Sequence, residues 1–247
     1  MTILVTRPDQ AGIELTTALS VAGRAAIHAP LFTLAAGSEL NLLPGYFSRL
    51  NPGDWIIAAS GHAVSYAEQT VEQIGGRWPH VQYAAVGRST ALHLQQACGQ
   101  PVLFPACDET SEGLLQLPAL QTVSGQQVLI LRGNGGRPLL AQVLRERGAD
   151  VNFCECYQRV TLEYCGAQQT DIWQRANVNL LVITSGDILQ QLVALVPDTA
   201  HHWLTSCRLV VVSKRIAAMA RELGWQEIVI SDRADNRSLI AAVEQFE

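Results

Sequence analysis

The sequence predicts an α/β protein of two parallel-sheet domains that arose by internal duplication, and three observations carry that prediction. Residues 128–160 read as a strand, a glycine turn, a helix and a strand. The same pattern recurs 125 residues earlier, with Arg132 falling on Arg7 (132 − 125 = 7) and Gly148 on Gly23 (148 − 125 = 23). Elsewhere, short apolar runs end in Gly, Ser, Thr or Arg and lead into amphipathic stretches, the pattern of a parallel sheet covered on both faces.

Residues 3–6 form the first buried strand, and Ile13, Leu15, Ala18, Leu19 and Ala22 line a helix that Gly23 stops. Residues 26–34 read as one extended stretch. Residues 35–52 are broken by Gly37, Pro44, Gly45 and Pro52, with a short helix within 42–50. Three units then follow. Residues 55–59 lead through Ser60-Gly61-His62 into a helix, residues 82–86 through Gly87-Arg88-Ser89-Thr90 into the helix 91–98, and residues 102–105 into Ser111-Glu112-Gly113. In the central unit, Pro138 sits in the first helical turn, and Leu140, Val143, Leu144 and Arg147 share one face. The second half repeats the series: Ser185 falls on Ser60 (185 − 125 = 60), Ser213 on Gly87 (213 − 126 = 87) and Leu239 on Leu114 (239 − 125 = 114). An offset that barely drifts marks duplication rather than generic resemblance of α/β units.

The 247 residues suffice for two domains of ordinary size, and 48% hydrophobic content supplies their cores. No apolar run approaches the ~20 residues that span a bilayer. The chain opens almost at once on a strand rather than on a signal segment, so a cytoplasmic protein is expected. A net charge of −5 argues against a general nucleic-acid binder. The six cysteines lack C-x-x-C spacing and the histidines lack H-E-x-x-H, which leaves buried thiols, Cys154 and Cys156 on one strand face among them, rather than a metal site. Lys214 is the only lysine, which disfavours Schiff-base chemistry. No cofactor or metal is expected.

Ligands of parallel α/β sheets bind at the carboxyl ends of the strands. Six turns there, at Thr6-Arg7, Ser60-Gly61-His62, Gly87–Thr90, Arg132–Gly135, Thr184-Ser185-Gly186 and Ser213-Lys214-Arg215, combine helix N-termini, hydroxyls and guanidinium groups. Any one is accounted for by ordinary N-capping. Together they favour an anionic ligand. The loop Gly133-Asn134-Gly135-Gly136-Arg137 matches neither the nucleotide P-loop nor the dinucleotide fingerprint, and no Gly-x-Ser-x-Gly elbow occurs. Tyr157 is asymmetric between the copies, since its counterpart is Phe32 (157 − 125 = 32). Its hydroxyl either finds a buried structural partner or faces a ligand, where a phenol can assist a leaving group.

The opening Ile3-Leu4-Val5-Thr6-Arg7-Pro8, the stretch 129–137 (LILRGNGGR), Cys154-Glu155-Cys156-Tyr157-Gln158-Arg159 and Thr184-Ser185-Gly186 together resemble the uroporphyrinogen-III synthase family, most of all its enterobacterial form. The resemblance covers essentially the whole chain. It implies two domains joined by a two-stranded linker, with the active-site cleft between them: residues 1–34 with 163–247, residues 38–158, and linker strands at 35–37 and 159–162. It also implies a cofactor-independent lyase that cyclises hydroxymethylbilane to uroporphyrinogen III with loss of water and inversion of the last ring. Tyr157 would assist departure of the hydroxyl. Ser60, Thr90, Ser111, Ser185 and the backbone at Gly133 and Asn134 would hold acetate and propionate groups, to which the strand-end Arg7 and Arg132 are also suited. Where the family often has a small residue and a threonine, this chain has Ser213-Lys214-Arg215-Ile216, so Lys214 or Arg215 would meet a carboxylate instead. A monomer is expected, receiving substrate from hydroxymethylbilane synthase, with no nucleic-acid or membrane partner. The competing readings are a non-catalytic two-domain binding protein for an anionic small molecule and a tetrapyrrole-sensing regulatory domain.

Overall fold

A computed structural model describes residues 1–136 and 138–246; Arg137, the last residue of the glycine-loop motif, lies outside them. In chain order the elements begin with β1 (Thr2–Val5), α1 (Asp9–Val21), β2 (Ala25–His28), β3 (Phe32–Ala36), α2 (Leu43–Phe47), β4 (Trp55–Ala58) and α3 (Gly61–Gln73). Next come β5 (Gln82–Ala85), α4 (Arg88–Cys98), β6 (Val102–Leu103), α5 (Ser111–Leu115), β7 (Gln127–Gly133), α6 (Leu139–Glu146) and β8 (Asp150–Thr161). The chain ends with α7 (Gly166–Arg175), β9 (Val178–Ile183), α8 (Gly186–Leu195), α9 (His201–Ser206), β10 (Arg208–Val211), α10 (Lys214–Glu222), β11 (Ile228–Ile230) and α11 (Asn236–Glu244).

The chain divides into two compact units, Met1–Thr33 with Val160–Glu247 and Leu34–Arg159. The first holds a sheet ordered β11-β10-β9-β1-β2, and the second a sheet ordered β3-β8-β7-β4-β5-β6. Pairings along β2-β1-β9-β10-β11 and along β8-β7-β4-β5-β6 are all parallel. By the 125-residue offset, β7 and β8 correspond to β1 and β2, while β9, β10 and β11 correspond to β4, β5 and β6. The two sheets therefore share one order over five strands, β3 being added at the edge of the second, and each combines strands from both repeats.

Alternation along buried parallel strands sends successive side chains to opposite faces. In the second unit Ile56, Ala58, Leu129, Leu131, Cys154 and Cys156 pack with Ala63, Val64, Ala67 and Leu94 of α3 and α4. Trp55, Ile57, Val128, Ile130 and Val151 point the other way, onto Leu114, Leu140, Ala141 and Leu144 of α5 and α6. In the first unit Ile3, Val5, Leu180, Val182 and Val210 pack with Leu15 and Leu19 of α1 and Leu239 and Val243 of α11. Each fully buried Leu or Ile contributes roughly 1.5–3 kcal/mol over its exposed state, so the sheets are anchored from both sides.

Helix punctuation repeats with the same offset. Ser60 and Ser185 cap α3 and α8, accepting from Ala63 N and Ile188 N. Thr110 and Asp235 (235 − 125 = 110) cap α5 and α11. Gly23 and Gly148 follow α1 and α6 at φ +77° and +86°, and Gly99 and Gly224 (224 − 125 = 99) follow α4 and α10 at +68° and +107°. Only glycine adopts these values without strain.

Three local expectations need correction. Residues 26–34 form not one strand but the ends of two, β2 and β3, which belong to different sheets. Helix α4 begins at Arg88, not Ala91, because Gly87 already takes the extended N-cap conformation. Pro138 is the N-cap of α6 rather than a residue of its first turn. Arg147 does keep to the side of Leu140 and Leu144, its guanidinium donating to the carbonyls of Leu115 and Leu120 in the same cluster.

Candidate active site

In the second unit, Ser60 follows β4, Thr90 lies in the first turn of α4 after β5, and Ser111 opens α5 after β6. Arg132 and Gly133 end β7, and Tyr157 lies on β8. These strands are neighbours in the order β8-β7-β4-β5-β6, so one sheet edge collects them all.

Tyr157 is half-buried at the centre of the best-defined cluster. The register of β7 and β8 shifts after Arg132, which pairs with Glu155, so that Gly133 pairs with Tyr157. A Cβ on Gly133 would sit 2.5 Å from the Tyr157 Cζ, so glycine is what allows the ring to lie over the strand. Tyr66 stacks near-parallel to Tyr157 (centroids 6.2 Å apart, 20°), and His62 meets it edge-on (5.8 Å, 63°). Both project from α3 one turn apart. The Ser60 hydroxyl accepts from Ala63 N at 3.3 Å and donates to the Tyr157 phenol oxygen at 3.3 Å.

The glycine loop is used differently from the expectation of bare N–H groups. Asn134 N donates to the Tyr157 carbonyl at 2.9 Å, and the Asn134 carboxamide oxygen accepts from Arg159 N at 2.9 Å. Asn134 thus clamps β8 on both sides of Gln158, immediately after Tyr157. Arg132 turns back on its own loop, donating to the Gly133 carbonyl at 3.1 Å and to that of Gly135, with its guanidinium 4.8 Å from the Phe153 ring centroid. Arg132 and Ser111 share the lining of a pocket of about 200 Å³ floored by Ile130, Leu140 and Phe153. Thr110, not Ser111, caps α5, its hydroxyl accepting from Gly113 N at 3.1 Å.

In the first unit, Arg7 follows β1, Ser185 follows β9, and the exposed Lys214 and Arg215 open α10 after β10. Arg7 donates to Asn236 Oδ1 at 2.9 Å, and burial lowers its guanidinium pKa, opposed by the charges of Glu14 and Asp235. Arg215 reaches Met219 Sδ at 3.6 Å.

Sequence reasoning missed Tyr66 and did not single out His62. Their i, i+4 spacing behind Ser60 was the available signal. Cys154, Cys156 and Cys207 are buried free thiols, as expected, but Cys107 and Cys165 are exposed, because both lie in loops rather than on strands. A hydrogen bond with Cys154, then burial, pushes the Cys156 thiol far up. No helix among the described residues is long and apolar enough to cross a membrane.

A duplicated pair of parallel α/β sheets, with hydroxyls, guanidinium groups and one caged phenol at the strand ends, defines a protein suited to binding and acting on an anionic small molecule. A family model described as uroporphyrinogen-III synthase HemD matches residues 13–241. The uroporphyrinogen-III synthase of Escherichia coli strain K12 is 48% identical over 246 residues, covering 99% of this chain and all of that protein. That of Salmonella typhimurium strain LT2 is 46% identical over 246 residues, again 99% of this chain and 100% of the relative. A solved uroporphyrinogen III synthase from the thermophilic bacterium Thermus thermophilus shares the fold, with a TM-score of 0.64 at 17% identity over 99% of each chain. The chain belongs to the uroporphyrinogen-III synthase family, and its activity is that of this lyase of tetrapyrrole and haem biosynthesis. The binding-protein reading is not favoured.

Proposed function

We propose that the chain closes hydroxymethylbilane to uroporphyrinogen III with Tyr157 as the group that assists the first bond cleavage. The observation that carries this reading is the phenol held at the carboxyl edge of the second sheet by Ser60 and given room by Gly133. The terminal pyrrole nitrogen expels the hydroxyl of the hydroxymethyl group. The C–O bond breaks, the oxygen departs as water with the pyrrole N–H proton, and an electrophilic azafulvene remains. A phenol donating a hydrogen bond to the departing oxygen lowers that barrier without becoming ionised. The azafulvene carbon then bonds to the substituted α-carbon of the last ring, giving a spiro centre. The bond from that carbon to its original methylene bridge breaks, leaving an azafulvene on the neighbouring ring. That methylene bonds to the free α-carbon of the last ring, whose proton passes to the azafulvene nitrogen. Holding the chain folded for the first attack supplies the selectivity.

The substrate's acetate and propionate groups suit Thr90 and Ser111 with Arg132 in the second unit, and Ser185, Arg7, Lys214 and Arg215 in the first. Gly133 and Asn134 contribute by shaping the strand end under the phenol. The protein works in the cytoplasm as a monomer, and hydroxymethylbilane synthase hands over the substrate.

Freshly generated hydroxymethylbilane, with the oxidised products resolved by isomer, tests the reading. Type III product is expected, whereas type I at the uncatalysed rate would overturn it. Tyr157→Phe should lower kcat by about 10²-fold with the fold intact; an unchanged rate would remove the phenol's role.

A further inference from the structure

The sequence and the family resemblance place Ser60 among the substrate-binding hydroxyls, but its geometry assigns it other work. A serine hydroxyl has one proton and two lone pairs. One lone pair accepts from Ala63 N at the start of α3, which fixes the Oγ atom at the end of β4. The single proton points to the Tyr157 phenol oxygen. Ser60 therefore has no proton left for a substrate carboxylate. A phenol oxygen that accepts from Ser60 must turn its own hydrogen elsewhere, and the ring walls leave few alternatives. Gly133 lies beneath the ring, Tyr66 is stacked on it and His62 stands at its edge.

We propose that Ser60 is a positioning residue that acts through Tyr157: capped in place by Ala63 N, its hydroxyl proton holds the phenol oxygen and turns the phenol hydrogen outward toward the leaving hydroxyl. This rests on the role given to Tyr157 above and deepens it. It also converts an N-cap, one of the commonest devices of α/β proteins, into part of the chemistry, and only where a tyrosine from another strand of the same sheet meets it.

The test uses the full chain with Ser60→Ala, Ser60→Gly, Ser60→Thr, Tyr157→Phe and the Ser60→Ala/Tyr157→Phe double variant. The readouts are kcat and KM with fresh hydroxymethylbilane and the ¹³Cζ resonance of Tyr157 in tyrosine-labelled protein. Glycine is nearly as good an N-cap as serine, so Ser60→Gly separates loss of the hydroxyl from loss of the helix start. The expected result is a drop in kcat of about tenfold in Ser60→Ala and Ser60→Gly, the scale of one hydrogen bond, with KM little changed. Ser60→Thr should restore most of the rate, the double variant should be no slower than Tyr157→Phe alone, and the Tyr157 resonance should move in Ser60→Ala and return in Ser60→Thr. A rise in KM with kcat intact would make Ser60 a substrate contact and overturn the proposal. So would fully additive losses in the double variant, or an unmoved Tyr157 resonance in Ser60→Ala. Failure of the underlying reading is distinct: Tyr157→Phe would then retain the wild-type rate even if the resonance still responded to Ser60.

Discussion

At the end of β7, Gly133 lets the Tyr157 ring lie over the strand, while at the corresponding end of β1 Pro8 stands in its place (133 − 125 = 8) and Phe32 in that of Tyr157 (157 − 125 = 32). The arginine before each is kept and used differently. Arg7 reaches across to Asn236 at the start of α11, whereas Arg132 folds onto its own glycine loop and the Phe153 ring. The position of Phe153 is held by His28 in the other copy (153 − 125 = 28), whose Nε2 meets the Arg7 carbonyl at 2.8 Å. Both units close the same strand end by polar contacts, but at the Phe32/Tyr157 position only the second copy carries a phenol. Duplication thus preserved the scaffold, while Gly133 against Pro8 and Tyr157 against Phe32 set the two strand ends apart.

The largest effect expected from disturbing this contrast is at Gly133. Gly133→Ala drives a methyl into the Tyr157 ring, and misplacing a catalytic group by such a distance costs on the order of 10²-fold in kcat. Thermal unfolding should change much less than the rate; an alanine variant with normal turnover would mean the ring position is unimportant. Gly12 in the first unit is the counter-case, since a Cβ there would meet the Arg7 carbonyl at 2.0 Å and His28 Nε2 at 2.2 Å. Gly12→Ala should destabilise the protein by roughly 1–3 kcal/mol, the usual range for overpacking, read by denaturant unfolding.

The twin caps sharpen the comparison at smaller scale. Ser60 and Ser185 make the same bond to the third residue of their helices, and removing either hydroxyl should cost about 1 kcal/mol in stability. Ser185→Ala should in addition raise KM for hydroxymethylbilane with kcat preserved, the opposite signature to Ser60→Ala. Equal kcat losses in both variants would erase the distinction between the units.

The smallest effect separates the caps Asp235 and Thr110. The backbone N–H of Ser238 donates to the Asp235 carboxylate and holds its pKa below the usual carboxylate range. A depressed folded-state pKa means the cap contributes fully above the unfolded value of about 3.9 and is lost as pH falls through the lower folded value. Thr110 does not titrate in that range. Acidification should therefore speed amide exchange in the first turn of α11 before that of α5; simultaneous loss would count against the cap assignment.

Much of this architecture could be read before any coordinates. Apolar runs of four to six residues, each stopped by a small polar turn, can form only buried parallel strands joined by helices. The constant offset predicted paired features such as the positive-φ Gly23 and Gly148 and the caps at Ser60 and Ser185. The boundaries that failed were those where local chemistry is ambiguous. The backbone of Gly87 caps α4 without a side-chain bond of its own, and Pro138 is tolerated before α6 as readily as in its first turn.

The sequence by itself determined the fold class, the duplication and the strand ends where chemistry gathers, because these follow from hydrophobic period and turn residues within a few positions of each other. Only the tertiary structure decided that Ser60 meets Tyr157 across 97 residues, that the Tyr157 ring lies against Gly133, and that Asn134 clamps β8. Those outcomes depend on strand register and on the one-residue shift between β7 and β8. Register is set by how whole sheets pack, which no short stretch of sequence records.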